Sequence, residues 1–462
     1  MFTSQKASPL PRLRGLPLLG NFFDLRHDRL GLMRRLWGEC GPVCTLRLGP
    51  VPIVAVTDAA LAHQVLVADE ASYVKSKGLS HFARPLLGNG MLTSEHDVHR
   101  RQRRLLSPAF APRRTATYAD VMVAETEAAQ ATWADGSELD LADELMRLTL
   151  SIVGKTLFDT DLSSQASRVN DALTDAMSYI VNAVSSPLAQ LVPYRWPLPS
   201  NQKMRRAVAS LDETIYQIIA RRRTDPSDHG DVLSMMTAAR DDDGTGLTDV
   251  ELRDQAMTLV LAGHETTANA LAWAHYLLAE HPTCYDRLVD EACTVLGGRP
   301  PTYQDLPQLP YALAVLKESM RLYPPAYNVT RQASRDVELA GHQLHEGAFV
   351  LVNIYGMHRR PDYFERPDEF DPSRFLPDAE KRLPKGAFIP FGGGPRVCIG
   401  NHFALMEGQL ILAALAQRLR VERSGAREPI IGEPLVTLRP RGGLPVKIRR
   451  QPPALHPPHP TP

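Results

Sequence analysis

The stretch from Asp249 to Glu280 reads as a single apolar helix of about thirty residues, and it sets the fold class. Thr248 with Glu251 supplies a capping box at its start, and Pro282 stands just past its end. Helical patterns also fill most of the chain from about residue 60 to 295, and a further helix covers Tyr311–Tyr323. The expectation is a mainly α fold with a minor β portion.

The β signals are short. Val43–Asp58 holds two apolar runs split by Gly49-Pro50, which predicts a hairpin. Residues 335–359 alternate between short strands and loops, and 360–400 is dense in Pro and Gly. A last helix is expected over roughly 401–420, followed by strand-like pieces. Residues 1–20 form an irregular proline-rich lead-in, and 450–462 a disordered tail. There is no internal repeat and no linker, so 21–449 reads as one domain.

Composition excludes several classes of function. The 462 residues are 44% apolar and 23% charged, as in ordinary globular enzymes. Fifty-two basic and 52 acidic residues cancel, so no nucleic-acid partner is expected. No apolar run reaches the length of a membrane span, and no secretory signal opens the chain, so no membrane anchor is expected. Five cysteines, Cys40, Cys44, Cys284, Cys293 and Cys398, form no CxxC pair. An odd count is a poor disulfide framework, which points to a reducing cytoplasm.

The chemistry concentrates at Phe391-Gly392-Gly393-Gly394-Pro395-Arg396-Val397-Cys398-Ile399-Gly400, a glycine-rich loop running into the last helix. Glycines allow positive φ and close approach of backbone to a flat ligand. Amides at a helix start can donate to a thiolate and tune its electron release. The decapeptide resembles the haem-binding loop of the cytochrome P-450 family, Phe-x-x-Gly-x-Arg-x-Cys-x-Gly, with every fixed position met. The resemblance extends from the lead-in to about residue 449. It implies a soluble bacterial-type member with that family's single-domain, triangular, mainly helical prism and small sheets. It also implies haem b with Cys398 as the axial thiolate, and makes Phe391, Gly394 and Gly400 part of the haem-holding loop.

Other matches follow in the family's order. Glu318-Ser319-Met320-Arg321 is similar to its Glu-x-x-Arg motif, and the loop Pro367–Phe375 supplies Arg374. By resemblance Glu318, Arg321 and Arg374 form a structural triad. In the long helix, Ala262-Gly263-His264-Glu265-Thr266-Thr267 resembles the distal oxygen-activation motif. Mid-helix glycine costs roughly 1 kcal/mol relative to alanine, and such local faults tend to mark functional sites. The resemblance makes Ala262 a haem contact and Gly263 a place for the helix to bulge. It gives Thr266 the hydrogen bond to dioxygen and Glu265 the supply of protons. His264-Glu265 also begins an HExxH zinc pattern, but residue 268 is Ala, so that reading fails. His99 and Arg103, four apart on one helical face, match the family's propionate-binding pair, with Arg331 and Arg396 as further propionate cations.

The function implied is monooxygenation: one oxygen atom from O2 enters a lipophilic small molecule, such as a terpenoid, fatty acid or polyketide. Electrons would come from a separate ferredoxin or flavodoxin with its reductase, and the enzyme would act as a cytoplasmic monomer. The thiolate favours O–O cleavage by pushing electron density toward the iron. Alternatives are a peroxide-using or rearranging haem-thiolate enzyme, or a non-catalytic haem-based sensor. By family position the substrate pocket draws on 73–92 (including Phe82, Leu86, Leu87 and Met91), Leu259–Thr266, Ala326–Val329 and Leu435–Thr437. Tyr327 and Asn328 would be its polar handles. Arg100, Arg101 and Arg104 lie off the His99–Arg103 face and are expected to form an outward basic patch for an acidic partner. Asp241-Asp242-Asp243 reads as a solvated loop.

Overall fold

The Thr248 hydroxyl accepts from the Glu251 amide at 3.2 Å, and Glu251 Oε2 accepts from the Thr248 amide at 2.9 Å, so the expected capping box forms. These contacts come from a computed structural model, which describes residues 10–162, 165–185, 194–225, 227, 229–425 and 428–451. Five helices position the site: α1 (His96–Leu106), α2 (Leu141–Phe158), α3 (Asp249–Glu280), α4 (Pro310–Leu322) and α5 (Asn401–Ala416). From Leu252 to Leu278, α3 is buried at every residue except Ala262, Gly263 and Thr266. A helix apolar around its circumference needs neighbours on all sides. Here α2, α4 and α5 all pack against it within one large apolar core.

The β portion is small but places two site residues. Strands β1 (Val43–Leu48), β2 (Val51–Val56), β3 (Tyr73–Lys75), β4 (Val329–Ala333) and β5 (Phe349–Val352) form one sheet in the order β1-β2-β5-β4-β3. The hairpin β1–β2 is antiparallel as expected, and only β2–β5 runs parallel. The register sets Lys75 on β3 directly opposite Arg331 on β4.

The sequence reading differs in details. The last helix stops at Ala416, because the chain turns and becomes extended again at Leu419. Within 335–359, Ile354–Met357 is a helical turn capped by the Asn353 side chain. The three residues of β3 sit in a region read as helical, since so short a strand has no period to detect. The described part of the lead-in is pinned to β1: Leu13 donates to Thr45 at 2.9 Å and Thr45 to Pro11 at 2.8 Å. Residues 1–9 and the expected tail beyond Gln451 lie outside the described residues.

Candidate functional site

The cysteine loop is held by its backbone. Gly394 has φ +69°, and a Cβ there would lie 2.0 Å from the Leu66 carbonyl oxygen, so the loop's contact with residues 64–68 requires glycine. The Cys398 amide donates to the Phe391 carbonyl at 3.0 Å. The sulfur is reached by solvent, yet protein surrounds it at depth; both describe a side chain on the floor of an internal recess. Burial pushes its thiol pKa up, while the Gly400 amide and the Arg103 charge pull the other way. Gly400 thus serves through its N–H at the start of α5, and a Cβ there would fit, meeting nothing closer than Phe110 Cε1 at 3.9 Å. Arg103 Nη1 donates to the Val397 carbonyl at 2.7 Å, fixing α1 to the loop.

Beside the loop lies a cluster of buried cations. His99, Arg103, Arg331 and Arg396 come together as expected, and Lys75 joins them. Nothing in the local sequence, Val74-Lys75-Ser76-Lys77, distinguishes Lys75 from a surface lysine. Its Nζ donates to the carbonyls of Met91 at 2.8 Å and Ser94 at 2.6 Å. Arg396 donates to Tyr73 O at 3.0 Å and Glu95 Oε2 at 2.8 Å, and Glu70 lies 3.1 Å from it. Glu95 stands at the N-cap of α1 but gives no capping bond, because its carboxylate is taken by Arg396 and the Lys75 amide. Like charges directly opposite on paired strands repel. Burial first, then the neighbouring cations, holds Lys75 at about 8, Arg331 at about 10 and His99 at about 4. At neutral pH four cations, Lys75, Arg103, Arg331 and Arg396, thus face two carboxylates, Glu70 and Glu95.

Between Leu252 and Leu278 of α3 the three accessible residues, Ala262, Gly263 and Thr266, form one stripe. The Thr266 hydroxyl donates to the Ala262 carbonyl at 2.6 Å, a back-bond within the helix. Glu265 is buried and accepts from the Thr437 hydroxyl. The expected bulge at Gly263 is not there: α3 is helical throughout. A Cβ on Gly263 would meet Val153 Cγ2 at 3.0 Å, so close approach of α2 accounts for the glycine. His264 is fully buried, with Nδ1 2.8 Å from the Val260 carbonyl, and no metal-ligating cluster occurs among the described residues.

Glu318 and Arg321 are both fully buried and joined by two 2.7 Å bonds. Arg321 also donates to the carbonyls of His358, Pro367 and Glu369, and Arg374 Nε lies 3.4 Å from Glu318 Oε1. None of these atoms reaches the recess, and their bonds tie α4 to the segment 358–374.

Three expectations need correction. Leu86 and Leu87 are wholly buried in the core and do not line a pocket, whereas Phe82, Met91, Leu435 and Val436 are half-buried. The Tyr327 hydroxyl is no substrate handle: it donates to Leu435 O at 2.7 Å and accepts from Arg29 at 3.0 Å. The basic patch on α1 is internally neutralised. Arg101 pairs with Asp241 and Glu251 at 2.8 Å each, Arg104 with Asp242 at 2.6 Å, and Arg100 with Asp97. Asp241 and Asp242 lie in a solvated loop, as read, and from it pair with side chains of α1.

The cytochrome P450 family model matches residues 9–446. The chain belongs to the cytochrome P-450 family. It is 40% identical over 414 residues to cyclooctatin synthase of Streptomyces melanosporofaciens, covering 88% of each chain. Cyclooctat-9-en-7-ol 5-monooxygenase of the same organism is 35% identical, covering 88% of each chain. Pentalenene oxygenase of Streptomyces avermitilis is also 35% identical, over 88% of this chain and 90% of that one. The fold is the P-450 fold and the protein is a P-450 monooxygenase, an oxidoreductase. No helix among the described residues is long and apolar enough to cross a membrane. The family implies haem with a cysteine thiolate, and the residues present fit it. The excess of buried cation suits a dianionic ligand edge, and the buried Nε atoms of Arg331 and Arg396 have no hydrogen-bond partner. A cysteine opens onto the same recess.

Proposed function

We propose that this P-450 binds haem b through Cys398 and oxygenates a terpenoid hydrocarbon or alcohol. The single observation that carries the haem assignment is Cys398, solvent-reached at the floor of a recess, with the Gly400 amide donating to its sulfur and the Arg103 charge nearby. Arg331, Arg396, Arg103, Lys75 and neutral His99 would hold the propionates. Ala262 would offer a flat, small face, and Phe391 and Gly394 shape the loop beneath. When bound, the haem supplies dioxygen activation, and thiolate ligation favours O–O cleavage.

The protein's own part is to bind, orient and deliver protons. Thr266 presents a hydroxyl at the accessible stripe of α3 between Leu252 and Leu278, and Glu265, one residue earlier, is a carboxylate kept inside the protein. A proton arriving through Glu265 can pass to the Thr266 hydroxyl, which rotates away from the Ala262 carbonyl to donate. Glu318, Arg321 and Arg374 keep the loop in place without touching the substrate.

The terpenoid assignment is supported by the relatives' names and by the half-buried apolar side chains Phe82, Met91 and Val436. Electrons are expected from a separate ferredoxin or flavodoxin, and the five free thiols support a reducing compartment. The test is to offer pentalenene and cyclooctat-9-en-7-ol, then a wider panel of cyclic terpenes, to the haem-loaded protein. A spin-state shift, and label from isotopic dioxygen in the product with NADPH, ferredoxin and reductase, is the expected result. A panel giving neither, while fatty acids give both, would move the substrate class.

A further inference from the structure

One side chain joins the buried Glu318–Arg321 pair to the cysteine loop. His358 lies just past the helical turn Ile354–Met357 and is fully buried. Its carbonyl accepts from Arg321 Nη1 at 2.9 Å. Its ring Nε2 lies 3.0 Å from the Ile389 amide nitrogen. An amide N–H can only donate, so Nε2 carries no proton and the ring's hydrogen sits on Nδ1. The carbonyls of Met320 and Arg321, at the end of α4, are the groups that favour a proton on this ring. Burial, with Arg321 and Arg359 nearby, pushes its pKa down to about 3, so the ring stays neutral and Nε2 stays an acceptor. The ring also packs on Phe388 at 5.1 Å.

Ile389 is where the cysteine loop begins to fold on itself. Its carbonyl accepts from Gly392 at 3.0 Å, and two residues later the Phe391 carbonyl accepts from Cys398 at 3.0 Å. A continuous line of contacts, buried at its Glu318–Arg321–His358 end, therefore runs on through Ile389 to the Cys398 backbone. Arg374, by contrast, reaches only Glu318 and the Arg366 carbonyl.

We propose that His358 is a positioning residue for the axial thiolate, its neutral ring anchoring the start of the cysteine loop to the Glu318–Arg321 pair. The inference rests on Cys398 being the haem ligand. No other side chain in the described structure accepts the Ile389 amide, so an apolar residue at 358 would leave that part-buried amide without its acceptor. The loop would then be free to shift, and the sulfur with it.

The experiment compares haem-loaded wild type with His358→Leu, His358→Asn and His358→Gln, all as full chains. The readout is the rate at which the red-shifted carbonyl band of the reduced protein decays to the blue-shifted band of a haem without its thiolate. Measurements are taken where far-ultraviolet circular dichroism is unchanged. Gln can still place an acceptor near Ile389 and should behave like wild type. Leu should decay roughly tenfold faster, the scale set by one part-buried amide without its acceptor. If Leu cannot be purified, Asn decides, because its shorter side chain withdraws the acceptor and should decay faster than Gln. Equal decay in wild type, Leu and Asn would overturn the role of His358. Cys398→Ser separates the two ideas: if it kept the red-shifted band, the ligand assignment itself would fall, whatever His358 does.

Discussion

The Thr437 hydroxyl donates to Glu265 while accepting from the Asn269 amide group at 3.2 Å. Asn269 can only donate through that nitrogen, so the single hydroxyl proton of Thr437 is committed to the carboxylate. Thr437 sits between the strands Gly432–Pro434 and Leu438–Pro440, next to the half-buried Leu435 and Val436. The buried Glu265 carboxylate is thus held by the segment that joins those two strands. Its chain neighbour Thr266 is turned to the Ala262 carbonyl instead.

Thr437→Val should therefore affect both stability and chemistry. It removes a hydrogen bond to a buried carboxylate at nearly constant volume, a cost of about 1.5–3 kcal/mol. Thermal melts should show that loss, and product formed per NADPH should fall as Glu265 loses its orientation. Thr437→Ser should restore both. A Val variant with wild-type product yield would show that the carboxylate needs no such support.

Thr266→Ala makes the opposite separation. The back-bond to Ala262 contributes little to a helix, so folding, haem content and substrate-induced spin shift should be unchanged. Electrons should instead be diverted to peroxide, because the only hydroxyl on the accessible stripe is gone. Peroxide and product measured together against NADPH consumption check this; unchanged coupling removes Thr266 from the mechanism.

Glu407 on α5 supplies a pH prediction. It is fully buried beside Thr267, and burial raises its pKa from 4.5 to about 8. The folded protein therefore holds a proton here that the unfolded chain releases above 4.5, so this group's contribution to stability is full below pH 4.5. That contribution is lost as pH rises toward 8, at about 1.4 kcal/mol per pH unit. Glu407→Gln keeps the shape and abolishes the titration. Its melting temperature should match wild type near pH 4.5 and exceed it progressively up to pH 8. Parallel profiles would place the raised pKa elsewhere.

Much of this was legible in the sequence where a residue type is demanded by its backbone or by strict spacing. Gly394 and the capped start of α3 are such cases, as are the i,i+3 pair Glu318–Arg321 and the His99–Arg103 face. What escaped depends on partners distant in the chain. Lys75 meets Arg331 only because two strands more than 250 residues apart pair in one register. Gly263 is explained by Val153 on another helix, and Tyr327 is occupied by Arg29 and Leu435. His358 resembles any surface histidine in a polar run until the fold buries it against Ile389.

The neutralised arginines of α1 give the last prediction. Arg101 and Arg104 are expected to receive an acidic electron donor, yet Asp241 and Asp242 already pair with them. The Arg104–Asp242 pair is largely exposed, and such pairs contribute only about 0–1 kcal/mol, so an acidic partner can displace it. Asp241 is held more firmly, its carboxyl kept below the ordinary range first by the Arg101 hydrogen bond and then by the Thr245 amide. Asp241→Asn with Asp242→Asn keeps the side-chain acceptor for that amide, frees the Arg104 charge and leaves Arg101 paired with Glu251 alone. Reduction by an acidic ferredoxin should then be faster than wild type at low salt, with the gain shrinking as ionic strength rises, because complementary charge acts on encounter. Peroxide-driven turnover should not change. If stopped-flow reduction rates of the double variant follow wild type across the salt series, the donor docks away from Arg101 and Arg104.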